Sequence, residues 1–275
     1  MIRFRRRRRK WPLDRQVHLR SVSTGKISDV WSWGNKRDLQ DGWRVLQQRC
    51  TDRASRVRLA HLLNRLGSFD RGAKESALAE LELAVLLVQA GCAVTFLPES
   101  KARTADLECA LGHTRVFVEV TALVGRAHTT RRRAAVSRSA RIRDSEEEEG
   151  DHVLIHRLLA RISQKARQLS DYTDPVVLSI TVPHRDDSAE ELDLKRLAGA
   201  ITVLLPLHGH VSAVLLALWD VPPMPSRSGV RLSNVHVVER SAQQRTHPRV
   251  RLLIVNPSAS TPLRSGELQV LKALL

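Results

Sequence analysis

Three acidic side chains stand where acids are out of place. Asp106 lies near the start of one β-type run, Ala105–Ala110, and Glu119 lies inside the next, Arg115–Thr121. Strands disfavour both residue types. Glu119 interrupts Val116-Phe117-Val118 and Val120, a run that otherwise reads as buried. Such a carboxylate either sits on the exposed face of an edge strand or is buried with a partner or a metal, because burial of a bare charge is expensive. If Asp106 and Glu119 pair across a hairpin, their oxygens can converge on one hard cation such as Mg²⁺. The third acid, Glu80, lies at the edge of the apolar stripe Leu78, Leu81, Val85 and Val88 of a predicted helix. A lone helix glutamate is usually solvated, so Glu80 gains meaning only beside the other two.

The chemistry needs positive charge as well. Lys is scarce, eight residues against 37 Arg, and Lys165 falls in a predicted amphipathic helix. Arg161, Lys165 and Gln168 share one face of that helix at spacings of four and three. This face is either an ordinary solvated one or a cationic face turned towards the acids.

The elements that must position these residues are legible from Ala73 onwards. Ala73–Ala90 is rich in Ala, Leu and Glu, with Gly91 as its stop. Short strands follow at Ala93–Leu97, Ala105–Ala110 and Arg115–Thr121, with Gly112-His113 as a hairpin turn between the last two. Residues 125–150 form a polar insertion: seven Arg without an acid from Arg126 to Arg143, then six acids from Asp144 to Asp151. A second helix spans His152–Leu169, with Ile155, Leu158, Leu159, Ile162, Ala166 and Leu169 as its stripe. Pro175–Val182 reads as a buried strand and 190–205 as a helix. Val211–Leu218, Val235–Val238 and Val250–Val255 read as further strands. The order is α-β-β-β-α-β followed by α-β-β-β, an α/β fold with a mixed central sheet.

The segment Ala79-Glu80-Leu81-Glu82-Leu83, Leu86-Leu87 and Gly91-Cys92-Ala93-Val94, followed by Ala105-Asp106-Leu107 and Val116-Phe117-Val118-Glu119-Val120-Thr121, resembles the PD-(D/E)XK nuclease superfamily. Its texture is nearest that of the archaeal-type Holliday-junction resolvases. The resemblance covers about residues 73–182 and implies a restriction-endonuclease-like core. It implies Mg²⁺, with Mn²⁺ as a substitute, held by Asp106, Glu119 and the Val120 carbonyl, with Glu80 assisting through water. It implies a metal-activated water that hydrolyses DNA, duplex or branched, and it is compatible with a homodimer. Ala105 replaces the proline of the family pattern. Thr121 stands where the family has its lysine, and Thr supplies no charge. In relatives that lysine can migrate to a neighbouring helix, and Lys165-Ala166-Arg167-Gln168-Leu169 is similar to such a pattern. Thr121, Gln168 and Arg161 would then support Lys165. The alternative expectation is a nuclease-like protein that binds nucleic acid without cutting it, and a third is a purely structural module.

Length and charge bound the remaining classes. The 275 residues carry 45 Lys plus Arg against 29 Asp plus Glu, and residues 1–72 alone hold 19 of the basic and 6 of the acidic groups. Residues 1–38 therefore read as a basic mobile arm, with Arg5, Arg6, Arg7, Arg8, Arg9 and Lys10 as phosphate contacts. Residues 39–72 read as a short helical segment, two helices closed by Gly67, and 73–275 as the nuclease-like domain. No apolar run reaches the ~20 residues of a membrane span, so no membrane partner is expected. Cys50, Cys92 and Cys109 are too few and scattered for a disulfide framework or a zinc site, which points to a cytoplasmic setting. His184 and His208-Gly209-His210 lack metalloprotease spacing and read as loop residues.

Removal of residues 1–38 takes away twelve Lys or Arg and three Asp. Non-specific DNA affinity is expected to drop, and its dependence on salt to flatten by several units of slope, since each phosphate contact contributes roughly 0.9. A salt titration of DNA binding measures this, and an unchanged slope would show that the arm does not touch phosphate.

Overall fold

The computed structural model describes residues 36–99, 104–111, 114–124, 146–183, 192–219, 232–240 and 247–275. Side-chain caps set where the helices begin. The Asp52 carboxylate accepts the Ser55 backbone N–H at 2.8 Å ahead of α2, Arg53–Leu66. Asp70 accepts from Gly72 N–H at 2.8 Å ahead of α3, Arg71–Gln89. Each carboxylate satisfies an orphan amide and meets the positive end of the helix dipole. Before them runs α1, Lys36–Arg49. It begins inside the segment read as an arm, and the rest of that arm lies outside the described residues.

Gly91 ends α3 at φ +87, a conformation that a residue with a Cβ rarely adopts. Gly91 N–H donates to Val88 O and Cys92 N–H to Leu87 O, a Schellman turn that sends the chain into β1, Ala93–Phe96. Then come β2, Leu107–Leu111, and β3, Thr114–Ala122. The turn read at Gly112-His113 lies outside the described residues. The chain continues as α4, Glu146–Gln168; β4, Val176–Val182; and α5, Leu194–Leu204, with a short 3-10 turn at Leu205–His208. It closes with β5, Val211–Leu218; β6, Val235–Glu239; β7, Val250–Val255; and α6, Ser265–Ala273.

Two boundaries differ from the sequence reading. Helix α4 starts at Glu146, so the acids 146–149 belong to its first turns and not to a polar insertion. Acidic groups are favoured there by the helix dipole. The remainder of the insertion, 125–145, lies outside the described residues. Helix α6 has no counterpart in the sequence reading, which places its last element at Val250–Val255. Its nine residues are too short for a clear apolar period.

The seven strands form one mixed sheet in the order β1-β2-β3-β4-β5-β7-β6. Neighbours are antiparallel from β1 to β3, parallel from β3 to β5, and antiparallel across β5, β7 and β6. Helices cover both faces. On one face Leu158, Ile162 and Ala166 of α4 and Leu197 and Ile201 of α5 pack on Leu178, Ile180, Leu216 and Leu252. On the other, Leu46, Leu59, Leu62, Leu81 and Leu87 of α1–α3 pack on Phe96, Val118, Val120, Leu215 and Leu253. The segment 39–72 is thus part of the same core as α3. Arg251 of β7 is buried and donates to Glu82 of α3 at 3.0 Å and to the Leu274 carbonyl beyond α6.

Asn256 follows β7 and is fully buried. Its Nδ2 donates to Leu205 O at 3.1 Å and Val211 O at 2.8 Å, and its Oδ1 accepts Ser258 N–H at 3.1 Å. Asn256→Ala strands two carbonyls and an amide, and is expected to cost about 2–4 kcal/mol. Urea unfolding measures this; a loss below ~0.5 kcal/mol would contradict the assignment.

Candidate active site

Pairing of β2 with β3 ends at Leu107↔Val118. Beyond that point, among the described residues, the β2-facing edge of β3 has no strand beside it. Asp106 N–H still donates to Val118 O at 3.1 Å, but the next amide on that edge, Val120 N–H, donates to the Asp106 carboxylate at 2.9 Å. A side chain thus completes what a longer strand would have supplied. Strand alternation sets the Val120 carbonyl on the same open edge. The segment before Asp106 is fixed by Tyr172, whose hydroxyl accepts Ala105 N–H at 2.8 Å and whose ring packs on Phe117 at 4.5 Å between centroids.

Alternation along β3 turns Phe117, Glu119 and Thr121 towards α4 and Val116, Val118 and Val120 towards α1–α3. Helix α4 is seated by Ile162 and Ala166, which are fully buried. This leaves Lys165 between helix and sheet, with its Nζ 2.5 Å from Glu119 Oε1. Thr121 is buried on the same strand face as Glu119. Gln168 is half-buried one turn beyond Lys165. Arg161 does not join the acids; its guanidinium donates to Gln164 of its own helix at 3.1 Å on the exposed side. The spacing of three to Gln164 satisfies it locally.

Glu80 reaches the cluster from α3 through a residue that the sequence reading missed. Arg58 of α2 is 4% exposed and donates in a fork to Glu80, from Nε to Oε1 at 2.9 Å and from Nη2 to Oε2 at 2.8 Å. The same Nη2 donates to Asp106 Oδ1 at 2.8 Å. Its Nη1 meets Glu99 as an ion pair without the alignment of a hydrogen bond. Arg65, two turns on, stands 3.8 Å from Glu80 and 3.5 Å from Glu99. A sequence signal existed: Ser55 and Arg58 fall on the stripe of Leu59, Leu62 and Leu66, and a cation on an apolar stripe needs a buried partner. Among 37 Arg it does not stand out.

Charge in this cluster is short on the positive side. Burial pushes the Glu80 carboxyl from an ordinary 4.5 up to about 7, and the nearby Asp106 adds to the shift; Arg58 opposes it but is divided among three acids. Burial and Asp106 also raise Glu119 against the pull of Lys165. Burial raises Asp106 against its bond from Val120 and the fields of Arg58, Lys165 and Arg65. Among the described residues no group of three His, Cys, Asp or Glu is preassembled as a metal cage. The donors at the open edge are nevertheless carboxylate and carbonyl oxygens, which suit a hard divalent cation. Asp106, Glu119 and the Val120 carbonyl are the groups that fit it. Both Glu80 oxygens are engaged by Arg58, and those of Asp106 by Arg58 and the Val120 N–H, so a cation at Asp106 would displace one of these contacts.

No family model, curated protein or solved structure matches the chain. The groups assembled here, two buried acids and the partly buried Asp106 with one ammonium and one guanidinium, can bind a divalent cation, hold a proton between carboxylates, or pin the helices to the sheet.

A raised carboxyl pKa has a definite sign in stability. Protonation is favoured in the folded state, so the folded chain binds more protons than the unfolded one between roughly pH 4.5 and 7. Stability supplied by protonated Glu80 is present below that window and is lost as pH rises through it. Glu80→Gln is therefore expected to lose less stability than the wild type between pH 5 and pH 8 in EDTA. Urea unfolding across that range measures the difference; parallel pH profiles would refute it.

Proposed function

We propose that the protein is a Mg²⁺-dependent endonuclease that hydrolyses DNA phosphodiester bonds, with a core of the PD-(D/E)XK type. The observation that carries this reading is the meeting of Asp106, Glu119 and Lys165 where β2 leaves β3. The order of elements from α3 to β4, with β1-β2-β3 antiparallel and β4 parallel to β3, supports it. So does the position of Lys165, which brings to Glu119 the charge that Thr121 lacks.

Asp106 and Glu119, with the Val120 carbonyl, would hold Mg²⁺. A bound Mg²⁺ supplies charge neutralisation at the phosphate and a more acidic water. The Val120 N–H keeps the Asp106 carboxylate oriented on the open edge. Lys165 holds an ammonium beside Glu119, where it offsets negative charge that grows on the scissile phosphate. Helix and sheet packing around Ile162 and Ala166 keeps it in place without a cost in reorganisation. DNA is the partner, drawn by the basic excess of residues 1–72.

A second reading, DNA binding without cleavage, is favoured by one observation. The Arg58 guanidinium already bridges Glu80 and Asp106, where a nuclease would present free carboxylate oxygens.

Incubation of plasmid and branched DNA with Mg²⁺, Mn²⁺ or EDTA separates the two. Asp106→Asn and Glu119→Gln are expected to abolish metal-dependent cleavage while the fold persists. Lys165→Ala is expected to slow it about 10²–10³-fold, as for loss of one electrostatic stabiliser. Lys165→Arg should rescue poorly, because a planar fork does not replace a compact point charge. DNA binding with no cleavage under either metal would select the second reading.

A further inference from the structure

Arg58, His61 and Arg65 follow one another along α2 at spacings of three and four, and so share one face of it. All three meet the same carboxylate. Glu99 Oε1 contacts Arg58 Nη1 and lies 3.5 Å from Arg65 Nη1, and Glu99 Oε2 lies 3.9 Å from His61 Nδ1. Glu99 itself is half-exposed, whereas Arg58 is buried and its other nitrogens are fixed by Glu80 and Asp106. Arg58 Nη1 is thereby aimed at the Glu99 position by the site behind it, yet finds no aligned acceptor there. A preformed guanidinium, a second, partly exposed one and an imidazole around one oxyanion resemble the surroundings of a bound phosphate.

We propose that the Arg58–His61–Arg65 face of α2 binds a backbone phosphate of a nucleic-acid strand, and that the Glu99 carboxylate holds this place until the strand arrives. The exchange is favoured because the pairs of Glu99 with His61 and Arg65 are solvent-exposed and such pairs contribute only about 0–1 kcal/mol each. A phosphate, with more charge-bearing oxygens, accepts from both guanidinium groups at once. Arg58 then touches Asp106 with one nitrogen and the strand with another, which sets the strand beside the acids. The assignment of the phosphate to DNA rests on the nuclease reading; the anion site itself does not.

The test uses the full chain in EDTA with inorganic phosphate as probe, followed by calorimetry. Glu99→Gln keeps the size of the side chain and removes the surrogate charge. It is expected to bind phosphate at least fivefold more tightly than the wild type. Arg65→Gln introduced into Glu99→Gln is expected to erase that gain, and a short DNA duplex is expected to compete with phosphate for the Glu99→Gln site. Equal phosphate affinity in wild type and Glu99→Gln would overturn the proposal, as would a gain that survives Arg65→Gln. Phosphate binding without competition by the duplex would overturn the nucleic-acid assignment. Because no metal is present, this outcome is read separately from cleavage. Asp106-dependent cutting with no phosphate gain would sink only the present inference, and a phosphate gain without cutting would sink only the nuclease.

Discussion

A buried guanidinium among carboxylates dictates much of this half of the molecule. Arg58 cannot be withdrawn from water unless acids surround it, and those acids cannot be buried without it. Glu80 comes from α3, Asp106 from the residue just before β2, and Glu99 from the segment after β1. One side chain of α2 therefore fixes the relative positions of three elements that apolar packing alone would leave free to slide. Leu59, Leu62 and Leu66 supply the adhesion of α2 to the core; Arg58 supplies its register. Removal of one partner would leave an uncompensated buried charge, a larger penalty than the pair is worth as a whole.

The open edge of β3 depends on the same arrangement. A sheet edge with unsatisfied amides invites another strand. Here Asp106 is bound to Val120 N–H through one oxygen and to Arg58 through the other. The carboxylate is held in one rotamer from two sides, and its distance from Glu119 is set by the backbone of β3 and not by side-chain freedom. Tyr172 steadies the approach to it through Ala105. Preorganisation of this kind is what an electrostatic site requires, since flexible charges lose their effect to solvent reorganisation.

Glu119 was legible because an acid in a β-branched run is rare enough to be noticed by itself, and Asp106 because it lies near the start of the β-type run before it. Lys165 was legible for a related reason: a scarce residue at helical spacing beside an apolar stripe. The strands and the longer helices followed from period and from the Gly91 stop. Arg58 was not legible, since its meaning lies in partners 22 and 48 residues away and one Arg among many carries no signal. Glu99 is in the same position, an exposed acid whose role is visible only from the helix it faces. Arg161 illustrates the opposite error. Its spacing put it on the right helix face in outline, but a neighbour three residues on satisfied it first. Helix α6 and the early start of α4 were hidden by local composition, Pro and Asn in one case and a run of glutamates in the other.

The Arg251–Glu82 pair joins residues 169 positions apart, from the penultimate structural element to the middle of α3. Leu215 of β5 and Leu253 of β7 lie under the same helix face. A ribosome delivers this chain from its N-terminus, and domains fold as their parts emerge. The meander β1-β2-β3 can pair as soon as it is outside, since its hairpins are local. The seat of α3, and with it the position of Glu80, stays incomplete until β7 has left the exit tunnel. A nascent chain that has not yet delivered β7 therefore carries the three acids without the full seat of α3.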